Sequence, residues 1–264
     1  MSIELEKAGL DRFQSVTRIS NQNPTFCKES DKITDAVKKI LSTNHRRIPI
    51  VTRKHEVVGV LSLMDILDAF LRRQDMEEKV SAVMSRDVIF CNTKDTIGLI
   101  LQKFKFSRKG GFPVLENKKL VGMVSERDFV RHFSNADFGM KIEELMTRKP
   151  FFISPNISIL DCLKAIVNTK YRRLPVVKNS KLVGIEASID LLKHVKESGF
   201  NFSSLANPIE SIMIKDVISA SKEKDISDAI KKMKAKDIGG LPVVDGKNTL
   251  EGFITERDVL EEIV

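Results

Sequence analysis

Apolar residues recur along the chain in two alternating rhythms. Ile33, Ala36, Val37, Ile40 and Leu41 stand at i, i+3, i+4, i+7 and i+8, the stripe of a helix with one buried face. Two short apolar runs follow, Ile48 to Val51 and Val57 to Leu61, of strand length and separated by a polar turn around Lys54. A second helix is predicted to start near Asp65 and to bury Ile66, Ala69 and Phe70. Ahead of all this, the turn signal Asn21-Gln22-Asn23-Pro24 leads into a short strand, Thr25 to Cys27, and the first helix is expected to be capped near Ser30 or Asp31. The unit therefore reads strand, helix, strand, strand, helix.

That unit returns three times, from Val88 to Phe133, Phe151 to Val195 and Val217 to Val264, with helical stripes opened by Ile97, Ile159 and Ile226. A Pro recurs at Pro49, Pro113, Pro175 and Pro242, a Gly at Gly59, Gly122, Gly184 and Gly252, and an Asp six residues after each Gly, at Asp65, Asp128, Asp190 and Asp258. Four copies in one register mark an internal repeat. The expected boundaries are 1–72, 73–135, 136–197 and 198–264. Repeats one and three carry an Arg pair before the Pro (Arg46-Arg47, Arg172-Arg173), while repeats two and four carry Gly110-Gly111 and Gly239-Gly240. The alternation implies a two-repeat module that was itself duplicated, with the main division near Ala136. The expected class is α/β (α+β).

Composition narrows the picture only in part. The 42% hydrophobic and 30% charged residues fit a soluble globular protein, no apolar run approaches a membrane span, and the acidic start of the chain does not read as a signal peptide. A cytoplasmic location is expected. Three cysteines at no metal-ligand spacing argue against a disulfide framework or a metal site. Cys27 and Cys91 hold matching positions, as small buried hydrophobes would. The net charge of +8 is compatible with anionic ligands or with nucleic acid, and its even spread along the chain does not decide between them.

At the apolar-Pro-Val runs, the Val-Gly strands and the Ser/Thr-x-x-Asp turns, the chain resembles the CBS domain family. The resemblance covers almost the whole length. It implies that two repeats pack through their sheets into a Bateman module, and that two modules form a flat, pseudo-symmetric disc like that of the regulatory γ subunit of AMP-activated protein kinase. It also implies clefts that bind AMP, ADP or ATP, or S-adenosylmethionine, and it makes a homodimer of discs plausible.

In such clefts one ionised carboxylate can accept both hydroxyls of a ribose, which is the role expected of Asp65, Asp128, Asp190 and Asp258. Ser62, Ser125 and Thr255, three residues earlier, can donate to a phosphate, as can the N–H groups at the helix start. Repeat three has Ala187 there and lacks this contact. The resemblance also puts Arg46, Arg47, Arg172 and Arg173 toward phosphate, a task suited to the guanidinium fork. Gly110, Gly111, Gly239 and Gly240 are expected to let backbone approach a ligand, with Arg127 and Arg257 supplying charge. The adenine is expected to lie against Val88, Ile89, Val217 and Ile218.

Plainer readings stand beside these. Ser62 with Asp65 is also a capping box, the Arg pairs are also strand-end charges, the Gly pairs are also turn glycines, and His45 is also a partner for a helix C-terminus. The reading that joins the Arg pairs, the Gly pairs and the Asp residues is a regulatory ligand sensor that relays occupancy in trans to an effector protein. A nucleic-acid binder is the alternative raised by the charge, and an enzyme is disfavoured because the Asp residues are too regular and too far apart for a catalytic pair.

Overall fold

A computed structural model describes residues 4–136 and 138–263. Repeat one folds as β1 (Cys27–Lys28), α1 (Ile33–Thr43), β2 (Arg47–Val51), β3 (Val57–Ser62) and α2 (Leu63–Leu71). Repeat two gives β4 (Cys91–Asn92), α3 (Ile97–Ser107), β5 (Gly111–Glu116), β6 (Lys119–Ser125) and α4 (Glu126–His132). A connector with α5 (Ile142–Leu145) and β7 (Thr147–Arg148) leads to repeat three, with α6 (Ile159–Thr169), β8 (Arg173–Lys178), β9 (Lys181–Ala187) and α7 (Ser188–Glu197). Repeat four has α8 (Ile226–Ala235), β10 (Gly240–Val244), β11 (Leu250–Thr255) and α9 (Glu256–Glu261). No helix among the described residues is long and apolar enough to cross a membrane.

Two expectations need correction at the repeat starts. The opening strand survives in repeats one and two but shrinks to a single bridge in repeats three and four, Ile153 with Val176 and Ala220 with Val243. Helix α1 is not capped by Ser30 or Asp31; Lys32 is its N-cap residue, without a side-chain bond. Asp31 instead accepts from the Lys28 N–H and the Lys39 ammonium, pinning β1 to the helix.

Each central hairpin is antiparallel and carries a register shift one residue past the Pro-Val or Pro-Ile step, between Ile50 and Val51, Val114 and Leu115, Val176 and Val177, and Val243 and Val244. The recurring Gly sits where the connector of the neighbouring repeat crosses the hairpin. A Cβ on Gly59, Gly184 or Gly252 would meet the sulfur of Met84, Met213 or Met146 at 2.5 Å, and one on Gly122 would meet the Asn21 carbonyl at 3.1 Å. The spacing fixes Gly at these positions because the crossing leaves no room for a side chain. Within each module the connectors are exchanged: the segment entering repeat two lies on repeat one, and the segment entering repeat one lies on repeat two, with repeats three and four arranged alike.

Sheet edges thus join repeats one with two, through Glu56 and Lys119, and three with four, through Lys181 and Thr249. The helices join the other way. α2 packs on α6 and α7, and α4 on α9. One core therefore unites repeats one and three, including Ile33, Ile66, Ile159 and Leu191; a second unites repeats two and four, including Phe104, Phe129, Ile226 and Val259. At about 1.5–3 kcal/mol for each fully buried large side chain, these cross-module cores dominate the stability. Whereas the sheet-edge pairing and the exchanged connectors stay within each half, both cores run across the division near Ala136. Cys27, Cys91 and Cys162 are buried in them, and burial pushes the Cys91 thiol up to about 12.

Candidate functional site

The last helix of each repeat starts at the residue after Ser62, Ser125, Ala187 or Thr255, and the Asp of the repeat lies in its first turn. In repeats one, two and four the Ser or Thr donates both its N–H and its hydroxyl to one carboxylate oxygen, Oδ2 of Asp65, Asp128 or Asp258, at 2.6–2.8 Å. The capping reading is therefore real for these three positions. It occupies Oδ2 alone and leaves Oδ1 without a bond among the described residues. Asp190, facing Ala187, has no such cap. Burial raises the carboxyls of Asp128, Asp190 and Asp258 above the usual range, partly offset by their hydroxyl partners or by Arg173.

Two residues that sequence reasoning passed over hold the centre of the molecule. Glu256, the first residue of α9, accepts from Arg46 Nη1 at 2.7 Å and Arg127 Nε at 3.1 Å. Glu126, the first residue of α4, accepts from Arg257 Nε at 2.7 Å and Arg172 Nη2 at 3.3 Å. Both glutamates are almost fully buried. Burial works against the charge on Glu256, and Arg46 and Arg127 outweigh it, holding the carboxyl below its usual range. The signal was present as Glu-Arg-Asp at 126–128 and 256–258, which occurs only in the Gly-pair repeats.

This network revises the role of several predicted site residues. Arg127 and Arg257, expected to face phosphate, grip glutamates of the opposite module. Gly110 and Gly239 are neither turn glycines of positive φ nor only ligand-facing backbone. A Cβ on Gly110 would meet Glu126 Oε2 at 2.7 Å and Arg47 Nη1 at 2.9 Å, and one on Gly239 would run into Arg46 and Glu256. Of each Arg pair, the first member is held by a glutamate and the second is not: Arg47 and Arg173 have no carboxylate within ion-pair distance among the described residues. Burial lowers both, and with Arg46 and Arg172 close by it brings Arg173 down to about 9. Six guanidiniums around two buried glutamates leave a positive excess suited to a multiply charged anion.

Two clefts open beside this centre. The first, of about 310 Å³, gathers His45, Arg46, Arg47, Gly110, Gly111, Ser125, Arg127 and Asp128. Its far side is made by Asn21, Pro24 and Thr25, the segment entering repeat one. The second, of about 490 Å³, joins Arg173, Ala187 and Asp190 with Gly240, Val217 and Ile218, the segment entering repeat four. The exchanged connectors explain a further correction. The entering segment faces the Asp of the other repeat in its module, so Ile218 belongs with Asp190 and not with Asp258. Ile89 does not reach the cleft of Asp128 at all; it lines a shallow apolar depression with Leu99 and Phe106. Ser62, Asp65, Arg172, Gly239, Thr255 and Asp258 line neither cleft, and Arg257 borders a third cavity beside Glu126.

Asn44 and Asp237 line both clefts. Asp237 accepts from Asn44 Nδ2 at 2.5 Å, from Arg127 Nη1 at 2.8 Å and from Arg131, so an internal carboxylate already occupies two arginines of the first cleft. Asp237→Asn is expected to tighten binding of a phosphate-bearing ligand there about threefold to tenfold, because the anion no longer competes with Asp237; calorimetry on both proteins at low salt reads the difference. His45 lies beyond the α1 terminus and borders this cleft, where burial lowers its imidazole below the usual range, so it is neutral at pH 7.

Comparison with known proteins agrees with this architecture. The sequence model described as the CBS domain matches residues 16–72, 80–135, 142–197 and 209–264. Protein MJ1225 of Methanocaldococcus jannaschii is 31% identical over 258 residues, covering 86% of this chain and 92% of that one. Its crystal structure, described as a candidate archaeal homolog of γ-AMPK, superposes with a TM-score of 0.87 over 94% of this chain and 99% of that one at 28% identity. A 33.4 kDa protein encoded in a ribosomal RNA operon of Thermofilum pendens is 26% identical over 260 residues, covering 89% of this chain and 86% of that one. Four matched repeats, spanning nearly all of the sequence, show that the chain belongs to the CBS domain family.

Proposed function

We propose that the chain is a regulatory sensor whose first cleft takes an adenosine nucleotide, AMP, ADP or ATP. The observation that carries this reading is the placement of Arg47, which pairs with no carboxylate among the described residues, in the same cavity as Asp128, whose Oδ1 has no bond among them. Asp128 accepts the ribose hydroxyls, Arg47 and Arg131 receive phosphate, and Asn21 to Thr25 face the base. The volume suits a ligand of this size. The likeness to the M. jannaschii protein described as a candidate homolog of γ-AMPK supports a regulatory role.

Occupancy has a route outward. Arg46 and Arg127 border the cleft and also hold Glu256 of the opposite module. A phosphate that draws these arginines weakens the joint between modules, and a ligand shifts an arrangement only through such differential contacts. The altered surface is read in trans by a protein partner.

Calorimetric titration with adenosine, AMP, ADP and ATP tests the reading. Asp128→Ala is expected to weaken all four at least tenfold, since two charge-assisted bonds are lost. Arg47→Ala is expected to weaken ATP and ADP about tenfold and adenosine hardly at all. Unchanged affinity in Asp128→Ala together with a lower melting temperature would reduce Asp128 to a helix cap. Equal losses for adenosine and ATP in Arg47→Ala would remove the phosphate role.

A further inference from the structure

The repeats serve as an internal standard for the outer face of their first helix. Two, five and nine residues after the opening Ile, repeat one carries Asp35, Lys38 and Ser42, repeat three Asp161, Lys164 and Asn168, and repeat four Asp228, Lys231 and Ala235. The row is polar or small, and its acid forms an ion pair along the helix in each case, Asp35 with Lys38, Asp161 with Lys164 and Asp228 with Lys232. α3 has Leu99, Gln102 and Phe106 instead. Spacings of three and four put these on one face. Leu99 and Phe106 are 41% and 84% exposed, and the buried stripe of α3 is a separate row, Ile97, Ile100 and Phe104. Packing within the chain therefore does not account for them.

With Ile89, these two side chains wall a hollow of about 410 Å³. Phe90 beside it is exposed, as is Phe13 at the start of α3, where the Arg12 and Gln14 carbonyls accept from the Gly98 and Ile97 N–H groups. An exposed apolar patch with a polar rim marks an interaction site. The charges of the rim select what covers it. Gln102 lines both the hollow and the third cavity, whose wall holds Arg12 and Lys105. Neither of these cations, nor Lys94 and Arg108 at the two ends of α3, has a carboxylate within ion-pair distance among the described residues. Of the nearby acids, Asp95 is held by Lys103, Asp87 by Lys109 and Glu126 by Arg172 and Arg257, which leaves Glu261. We propose that this face docks an amphipathic helix of a protein partner, which sets leucine- or phenylalanine-sized side chains into the hollow and acidic residues over Arg12 and Lys105. A second copy of the chain fits poorly, because a two-fold contact sets the same cations against each other. A bilayer fits poorly because a flat surface does not fill a hollow. The face deepens the sensor reading, on which its regulatory role rests, and α3 runs on through Arg108 and Lys109 to Gly110 and Gly111 of the first cleft.

A triple variant, Leu99→Asp with Gln102→Lys and Phe106→Ser, gives α3 the residues of α1 on this face. It is expected to melt no lower than the wild type, since it removes exposed apolar groups and adds an acid in the first helical turn. A fall of about 5 °C or more, read by circular dichroism, would place the face inside the packed chain and overturn the proposal. A displayed library of random peptides of roughly 16 residues, about four helical turns, is then selected on the full wild-type chain. The expected winners carry apolar residues at i, i+3 or i+4 and i+7 with Asp or Glu beside them. By fluorescence anisotropy they should bind the triple variant about tenfold or more weakly, and Arg12→Glu with Lys105→Glu about tenfold more weakly. An empty selection, basic winners, or equal binding to the wild type and the triple variant overturns the docking face. Sedimentation tests the other occupants. Self-association of the wild type, or its binding to vesicles of equal parts phosphatidylcholine and phosphatidylserine, overturns the proposal if the triple variant loses it. ATP and AMP affinities are expected to be the same in both proteins. Peptide binding without nucleotide binding leaves the docking face standing and removes the first-cleft reading; nucleotide binding with an empty selection does the reverse.

Discussion

Glu256→Gln is expected to destabilise the protein by about 3 kcal/mol, the usual scale for removing one partner of a buried ion pair. For a chain of this size that is a fall of roughly 6–12 °C in melting temperature, readable by circular dichroism. The amide keeps the shape of the side chain but leaves Arg46 and Arg127 facing Arg47, Arg172 and Arg173 with one balancing charge fewer. The pH dependence carries a sign. The carboxyl of Glu256 is held below its ordinary value of 4.5 in the folded protein, so its stabilisation is fully present above that pH and is lost as pH falls through the lowered value. The gap between wild type and variant should therefore be widest at neutral pH and close in acid. Inorganic phosphate or ATP should restore more stability to the variant than to the wild type, because an anion relieves the larger positive excess. Equal melting temperatures at pH 7 would mean that the central network contributes nothing net.

Glu186→Leu should have the opposite sign. Glu186 lies in β9 with no exposed surface, opposite Leu174, and neither of its carboxyl oxygens has a hydrogen-bond partner among the described residues. Its equivalents are Leu61, Val124 and Ile254, all fully buried. Burial, with Asp190 adding like charge, drives its carboxyl up to about 9 from an ordinary 4.5. The unfolded chain releases this proton above 4.5, whereas the folded chain holds it until about 9, so stability falls as pH rises between the two and levels off above. Leu at this position should raise stability by about 2–4 kcal/mol at pH 8, with the gain shrinking toward pH 4.5 to that of removing a neutral unsatisfied carboxyl. A variant that melts at or below the wild-type temperature at pH 8 would show that Glu186 has a partner in solution.

The two variants probe opposite failures of a repeat. At Glu256 a polar residue appears where repeats one and three have Leu63 and Ser188, and the tertiary structure supplies its partners from two other repeats, Arg46 of repeat one and Arg127 of repeat two. At Glu186 a polar residue appears in a core row and no partner is supplied. Sequence alone could not separate these cases, because both are single glutamates that break an apolar or mixed pattern.

What could be read along the chain is what depends on near neighbours. The helical stripes of α1, α3, α6 and α8, the Pro-bearing strands and the Ser/Thr caps on Asp65, Asp128 and Asp258 all rest on spacings of a few residues, where period and capping chemistry decide the outcome. The four-fold register also foretold the family, but not that the Arg pair of repeat one and the Gly pair, Ser125 and Asp128 of repeat two line one cleft. The failures lie where distant segments meet. That Ile218 faces Asp190, that the cores bind repeat one to three and two to four, and that Glu126 and Glu256 capture Arg172, Arg257, Arg46 and Arg127 depends on the exchange of connectors and on apolar helix faces that find cover only in the opposite module. By itself the sequence determined the repeat, its elements and the residue types of its clefts. Which residues share a cleft, and which arginines remain free for an anion, was decided by the tertiary structure, because ion pairing and burial are settled by distance in space and a repeated pattern specifies each unit without saying which unit it will face.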